Sequence, residues 1–254
     1  MLLAEPVAAS WQANLRLRFQ NHGARTLLSE KSFDGPLVVQ KPLYPEGPER
    51  CHAIVLHPPG GIAGGDELTL KVASGRNANA LLTTPGAAKW YRSAGAWARQ
   101  TLDFEVDGTL EWLPRETIVF TGALARLDTL IRLGAEGNFI GWEVLSVGRF
   151  RRGRLKLETR IMRESELLLV EKGEIEGGGR LMRSAVGLGS HSVFGTFIAT
   201  SEAKIEIAGL AITRLPGVLV GRYLGNSSEE ALHAFTRLWK ALRPSAVEPR
   251  IWST

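Results

Sequence analysis

Cysteine is the scarcest functional residue in this chain, with one in 254, and that excludes an intrachain disulfide framework or a multi-thiolate zinc or iron–sulfur site. Long hydrophobic runs are also missing: nothing approaches the roughly 18 apolar residues of a membrane span, so no membrane partner is expected. The opening Met1-Leu2-Leu3-Ala4-Glu5-Pro6 has no cationic region and reaches Glu5 and Pro6 before a signal-like apolar segment develops, which makes the expected compartment cytoplasmic. Lysine is sparse too. Of 31 basic residues, 23 are Arg and eight are Lys, against 26 acidic residues. The planar Arg fork suits protein interfaces, and a GC-rich genome choosing Arg on exposed surfaces accounts equally for the split.

What is present is alternation. Leu68, Leu70 and Val72 alternate with Thr69 and Lys71; Leu102, Phe104 and Val106 alternate with Asp103 and Glu105; Leu155, Leu157 and Ile161 alternate with Lys156, Glu158 and Arg160. A period of two marks half-buried strands. Gly, Asn, Asp and Pro punctuate these runs at intervals of about 8–12 residues, as all-β architectures do and βαβ units do not. No motif repeats at a fixed period, so neither a propeller nor a consensus solenoid has direct sequence support. One segment breaks the β pattern: Ser227 and Glu230 offer a capping box, Ala231, Leu232, Phe235, Leu238, Trp239 and Leu242 follow at helical spacing, and Pro244 stops the run. No linker divides the chain, so residues 1–254 read as one domain.

The stretch His57-Pro58-Pro59-Gly60-Gly61-Ile62-Ala63-Gly64-Gly65-Asp66 lacks the Lys-Ser/Thr of a phosphate loop and ends in Asp66-Glu67, which would repel a phosphate. It reads instead as a rigid turn. Cys51 and His57 share a strand face, with His52 on the other, but six residues at about 3.3 Å each put them too far apart to chelate one ion. Cys51 is either buried ballast or a weak ligand. Glu111, Glu116 and Glu143 sit beside Trp112 and Trp142, so a carbohydrate-active hydrolase using a carboxylate pair is the alternative function. The basic run Arg149-Phe150-Arg151-Arg152-Gly153-Arg154 reads as a solvated turn, since no nucleic-acid motif accompanies it and no nucleic-acid partner is expected.

Taken in order, several segments together resemble the urease accessory protein UreD (UreH) family. They are His57 to Asp66; Leu81-Leu82-Thr83-Thr84-Pro85-Gly86-Ala87-Ala88-Lys89-Trp90-Tyr91-Arg92-Ser93; Leu110-Glu111-Trp112-Leu113-Pro114-Arg115-Glu116-Thr117-Ile118; Phe139 to Glu143; Arg222 to Gly225; and Pro249 to Trp252. The resemblance implies a mainly β, elongated fold of many short strands in β-helix-like stacked sheets, with one or two helices, the clearest near the C-terminus. It implies a non-enzymatic chaperone that binds apo-urease and, with UreF and the GTPase UreG, supports nickel insertion. No tightly bound cofactor is expected; nickel is transient cargo. A path for such an ion is best built from weak oxygen ligands, and the matched motifs supply Asp66, Glu111, Glu116 and Glu143, with Thr84 lining it. Trp90, Tyr91, Arg92 and Arg115 are the interface candidates. The plain alternatives are turn capping, strand-edge solvation and ion pairing for the acids, and core packing for the tryptophans.

Overall fold

The computed structural model describes residues 10–253; the opening segment Met1 to Pro6, considered above for targeting, lies outside them. The chain runs β1 (Gln12–His22), β2 (Arg25–Asp34), β3 (Val38–Val39), β4 (Arg50–Leu56), β5 (Glu67–Ser74), β6 (Asn79–Thr83), β7 (Ala88–Trp90), β8 (Ala98–Val106) and β9 (Thr109–Leu113). It continues through β10 (Thr117–Val119), β11 (Ala123–Leu133), β12 (Asn138–Ser146), β13 (Gly153–Arg163) and β14 (Glu166–Glu176). A four-residue turn of helix, α1 (Arg180–Arg183), precedes β15 (Val193–Ala199), β16 (Ala211–Leu215), β17 (Val218–Gly225) and α2 (Ser228–Leu242). A 3-10 turn, Arg250–Ser253, ends the described chain.

The strands form two sheets. The first has the order β14-β13-β11-β8-β5-β1-β2 and the second β16-β17-β15-β12-β9-β6-β4-β3. From β4 to β13 the main strands alternate between sheets, and their neighbours within each sheet are parallel: β5, β8, β11 and β13 in one; β4, β6, β9 and β12 in the other. The chain therefore winds as a solenoid of stacked coils, with antiparallel hairpins at the ends.

The coils are geometric repeats without sequence repeats. On the short edge, β5 turns into β6, β8 into β9 and β11 into β12, and the corners stack backbone on backbone: Gly108 N donates to Ser74 O at 3.2 Å and Asn138 N to Gly108 O at 2.8 Å. A Cβ at Gly108 would overlap the carbonyl oxygens of Gly75 and Ala78. Only a few glycines are dictated by this stacking, so no motif repeats.

Alternation fixes the two cores. Leu68, Leu70, Val72, Phe104, Leu127, Ile131 and Leu155 face Cys51, Leu82, Leu110, Phe139 and Leu145 between the sheets. The outer face of the second sheet presents Leu81, Leu113, Trp142, Val144, Phe197 and Leu219 to α2, which inserts Phe235, Leu238 and Trp239. The helix begins as the sequence predicts: Ser227 Oγ accepts from Glu230 N at 3.2 Å. The second half of the capping box does not form, because the Glu230 carboxylate accepts instead from the Tyr223 hydroxyl at 3.0 Å.

Candidate functional site

Three loops returning from the second sheet to the first stack along the long edge of the solenoid, and they carry much of the sequence that is unusual. Tyr91 N donates to Ile62 O at 2.8 Å, Phe120 N to Trp90 O at 2.9 Å and Ser93 N to Gly122 O at 3.0 Å. β7 and β10 pair in parallel within this stack. The glycines of the 57–66 segment divide the work: Gly60 and Gly65 adopt φ of 70° and 95°, whereas Gly61 and Gly64 give room, since a Cβ there would overlap the Tyr91 ring or the Ser93 hydroxyl.

Between the sheets lies a cavity of about 460 Å³. Its walls are mostly apolar, Leu70, Leu102, Ile131, Phe139 and Leu145 among them, and a polar belt crosses it. Glu143 on β12 stands opposite Thr196 on β15, and Thr196 opposite Arg222 on β17. On the other sheet Thr129 pairs with Thr159, and Thr159 with Glu171. All six residues line the cavity, and Arg222 closes the belt by pairing with Glu171 across the sheets. The lining reaches exposed positions at Gly60, Pro85 and Gly86 on the long edge and at Lys172 and Arg222 on the β14–β17 side.

Glu143 is the electrostatic exception in this belt. Among the described residues no cation or donor pairs with it, and burial pushes its carboxyl up to about 7. His57 lines the same cavity with Nε2 buried and without a hydrogen-bond partner; burial pushes its imidazole below the ordinary value, against the pull of Asp66. His57 thus extends the inward face of β4 begun by Cys51, while His52 points outward to Glu46, at 2.7 Å. Cys51 is fully buried in the core between the sheets.

The other sequence-predicted residues fall in several places. Thr84 and Arg115 line the cavity mouth, with Arg115 N donating to Thr84 Oγ1 at 2.9 Å. Asp66 is buried and caps the Gly-rich turn, accepting from Ala63 N at 2.7 Å and Trp11 N at 2.8 Å. Glu116 is 3.9 Å from Arg115 and 3.5 Å from the Ser228 hydroxyl. Glu111 lies on the opposite face of the second sheet, 0% exposed, 3.0 Å from Arg50 and 2.8 Å from Arg243 Nε. No sugar can reach a carboxyl so enclosed, which removes one member of the glycosidase pair. Trp90 is 1% exposed and packs inside, whereas Tyr91 and Arg92 are exposed, Tyr91 stacking on Phe120 at 5.2 Å. Sequence reasoning missed Thr129, Thr159, Thr196, Glu171 and Arg222 as one belt. Alternation shows that such residues face inward but not which strands adjoin.

Among the described residues, fold and site together define a non-repeating β-solenoid, buttressed by one amphipathic helix, around a cavity that holds one unpaired carboxyl. Among the described residues no three of His, Cys, Asp and Glu gather into a metal-binding cluster, and no helix is long and apolar enough to cross a membrane.

Comparison with known proteins gives the family. The family model for the UreD urease accessory protein matches residues 12–253. A urease accessory protein UreD from Dechloromonas aromatica (strain RCB) is 44% identical over 274 residues, covering 96% of this chain and 95% of the relative. Those of Azoarcus sp. (strain BH72) and Pseudomonas aeruginosa are 46% and 43% identical, with 96% of this chain and 94% and 96% of the relative covered. The chain belongs to the UreD urease accessory protein family.

Proposed function

We propose that this protein is a non-catalytic, cytoplasmic chaperone of urease maturation. It binds apo-urease and, together with UreF and the GTPase UreG, supports insertion of nickel into the buried urease site. Family membership supports the maturation role. The observation that carries the nickel step is Glu143, an unpaired carboxyl facing a cavity whose lining reaches exposed positions at two sides.

The chemistry of that carboxyl suits cargo in transit. A group that titrates near 7 is partly protonated at neutral pH, so an arriving Ni²⁺ exchanges for a proton and a departing ion is replaced by one. One carboxylate beside hydroxyls gives weak oxygen ligation, whereas clustered thiolates and imidazoles bind such ions tightly. We assign the path to Glu143 and Thr84, with His57, Thr129, Thr159 and Thr196 along its walls. Asp66, Glu111 and Glu116 act in this scheme by holding the walls in place through the bonds described above. Tyr91, Arg92 and Arg115, on or beside the long edge, are the contacts offered to the assembly. Depletion of the protein, followed by urease activity and nickel measurement, tests the role: inactive, nickel-poor urease is expected, and normal, fully metallated urease contradicts it.

A further inference from the structure

Six arginines from three separate segments converge at one end of the long edge: Arg92, Arg149, Arg151, Arg152, Arg180 and Arg183. All six are exposed, and among the described residues none has a carboxylate oxygen within 4.0 Å of its guanidinium. Some exposed arginines are paired, as Arg18 is with Glu30 at 3.2 Å and Arg160 with Glu158 at 2.6 Å, and Arg154 is already taken by Glu174 at 3.5 Å. Exposed arginines without a carboxylate also occur elsewhere, Arg16, Arg76 and Arg214 among them, but here six fall in three adjoining segments.

The backbone beneath these arginines is locked. Gly122 N donates to Arg152 O at 2.7 Å and Gly177 N to Gly153 O at 3.0 Å. A Cβ at Gly122 would lie 2.7 Å from Arg92 Cγ, at Gly177 2.6 Å from Arg152 N, and at Gly178 2.7 Å from Arg151 O. Gly153 and Gly178 also hold φ of 106° and 70°, which other residues rarely adopt. Phe150, fully enclosed, anchors the first loop, and Gly178 N donates to Met182 Sδ at 3.1 Å, folding α1 back over the second. Glycine here permits backbone-to-backbone contact, so the arginine side chains project outward from a fixed base. In the same segment as Arg180 and Arg183 stand Val186, 95% exposed, and Leu181, 42% exposed.

We infer that this rim is a docking surface for an acidic protein segment carrying aliphatic side chains. Carboxylates would engage the guanidinium forks, and one or two aliphatic groups would cover Val186 and Leu181. A nucleic acid answers the charge but not the apolar pair, and the exposed aromatic ring beside Arg92, Tyr91, already stacks on Phe120 rather than standing free for a base. The basic run 149–154, which by sequence alone is a solvated turn, is in the fold one part of a larger surface. The inference is independent of the nickel role, since it is read on the isolated protein.

The test is fluorescence anisotropy with the full chain and three probes: a short labelled peptide alternating Glu and Leu, the same peptide with Gln for Glu, and an oligothymidylate of similar length. The Glu-Leu peptide should bind best, and more weakly as salt rises. Arg151→Glu with Arg183→Glu should weaken it by about ten-fold or more. Val186→Ser should weaken it with the charges intact, and Arg76→Glu, on the opposite edge, should leave it unchanged. Equal binding of the Gln peptide, unchanged binding by the double variant, or tighter capture of the oligonucleotide at the same arginines would each overturn the proposal. Unaltered circular dichroism of the variants guards against misfolding as the cause.

Discussion

The indole Nε1 of Trp239 donates to Glu111 Oε2 at 2.9 Å, joining the C-terminal helix to the middle of the second sheet across 128 residues of sequence. Around that bond stand Arg50 and Arg243, with Glu46 pairing to Arg243 and to His52. Arg243 Nε is 2.8 Å from Glu111 Oε1 but off the hydrogen-bond line, so that contact is one of charge. Burial pushes the Glu111 carboxyl up, and the two guanidinia oppose that push. Removing one partner of such a network leaves the others buried and uncompensated. Glu111→Ala is therefore expected to cost about 3–5 kcal/mol in urea unfolding. Trp239→Phe, which keeps the ring and loses one charge-assisted bond, should cost about 1.5–3 kcal/mol.

Glu143 makes stability depend on pH in a definite sense. Its carboxyl is raised from 4.5 to about 7 in the folded chain, so the unfolded chain gives up its proton first. The group's contribution is fully present below pH 4.5 and is lost as pH rises through about 7. Glu143→Gln removes that loss. The variant should match the wild type near pH 4 and exceed it by up to about 3 kcal/mol at pH 8, read from urea melts at both values.

The stacked short edge predicts a glycine that cannot be replaced. Gly108→Ala drives a methyl into two backbone carbonyls and should destabilise by about 1–3 kcal/mol or more. Gly86→Ala, where a Cβ meets nothing within 4 Å and no positive φ is required, should be nearly neutral. Thermal melts of the two variants, side by side, check the contrast.

Helix α2 depends on its cap. Ser227→Ala removes the acceptor for Glu230 N and should cost about 1 kcal/mol. Glu230→Ala should act through a different bond, the one from the Tyr223 hydroxyl. The two losses should therefore fail to behave as one reciprocal box when combined in a double-mutant cycle.

Local structure was the legible part of this sequence. Ser227, the apolar stripe from Ala231 to Leu242 and Pro244 define a helix that spans Ser228–Leu242, and alternation at Leu68, Leu70 and Val72 names the buried face of β5. What stayed hidden depends on which coil lies beside which. Glu111 sits in a strand buried on both faces, and its sequence neighbours give no sign of Arg50, which the sheet order β4-β6-β9 brings to it, or of Arg243, which the packing of α2 brings. The polar belt is hidden for the same reason: Thr129, Thr159 and Thr196 are ordinary strand residues until register aligns them with Glu143 and Arg222. The motif resemblance offered Asp66, Thr84, Glu111, Glu116 and Glu143 together, and gave no means of separating Thr84 and Glu143, which line the cavity, from the other three, which do not.

Nickel bound for urease is proposed to pass Glu143. The most direct measurement is the nickel content of urease purified from cells in which this protein is wild type, Glu143→Ala or Glu143→Asp, after confirming that each variant still assembles with its partners. The alanine variant should yield urease several-fold poorer in nickel, with the aspartate variant restoring much of the loss. Wild-type nickel content with the alanine variant fully assembled would contradict a path through this cavity.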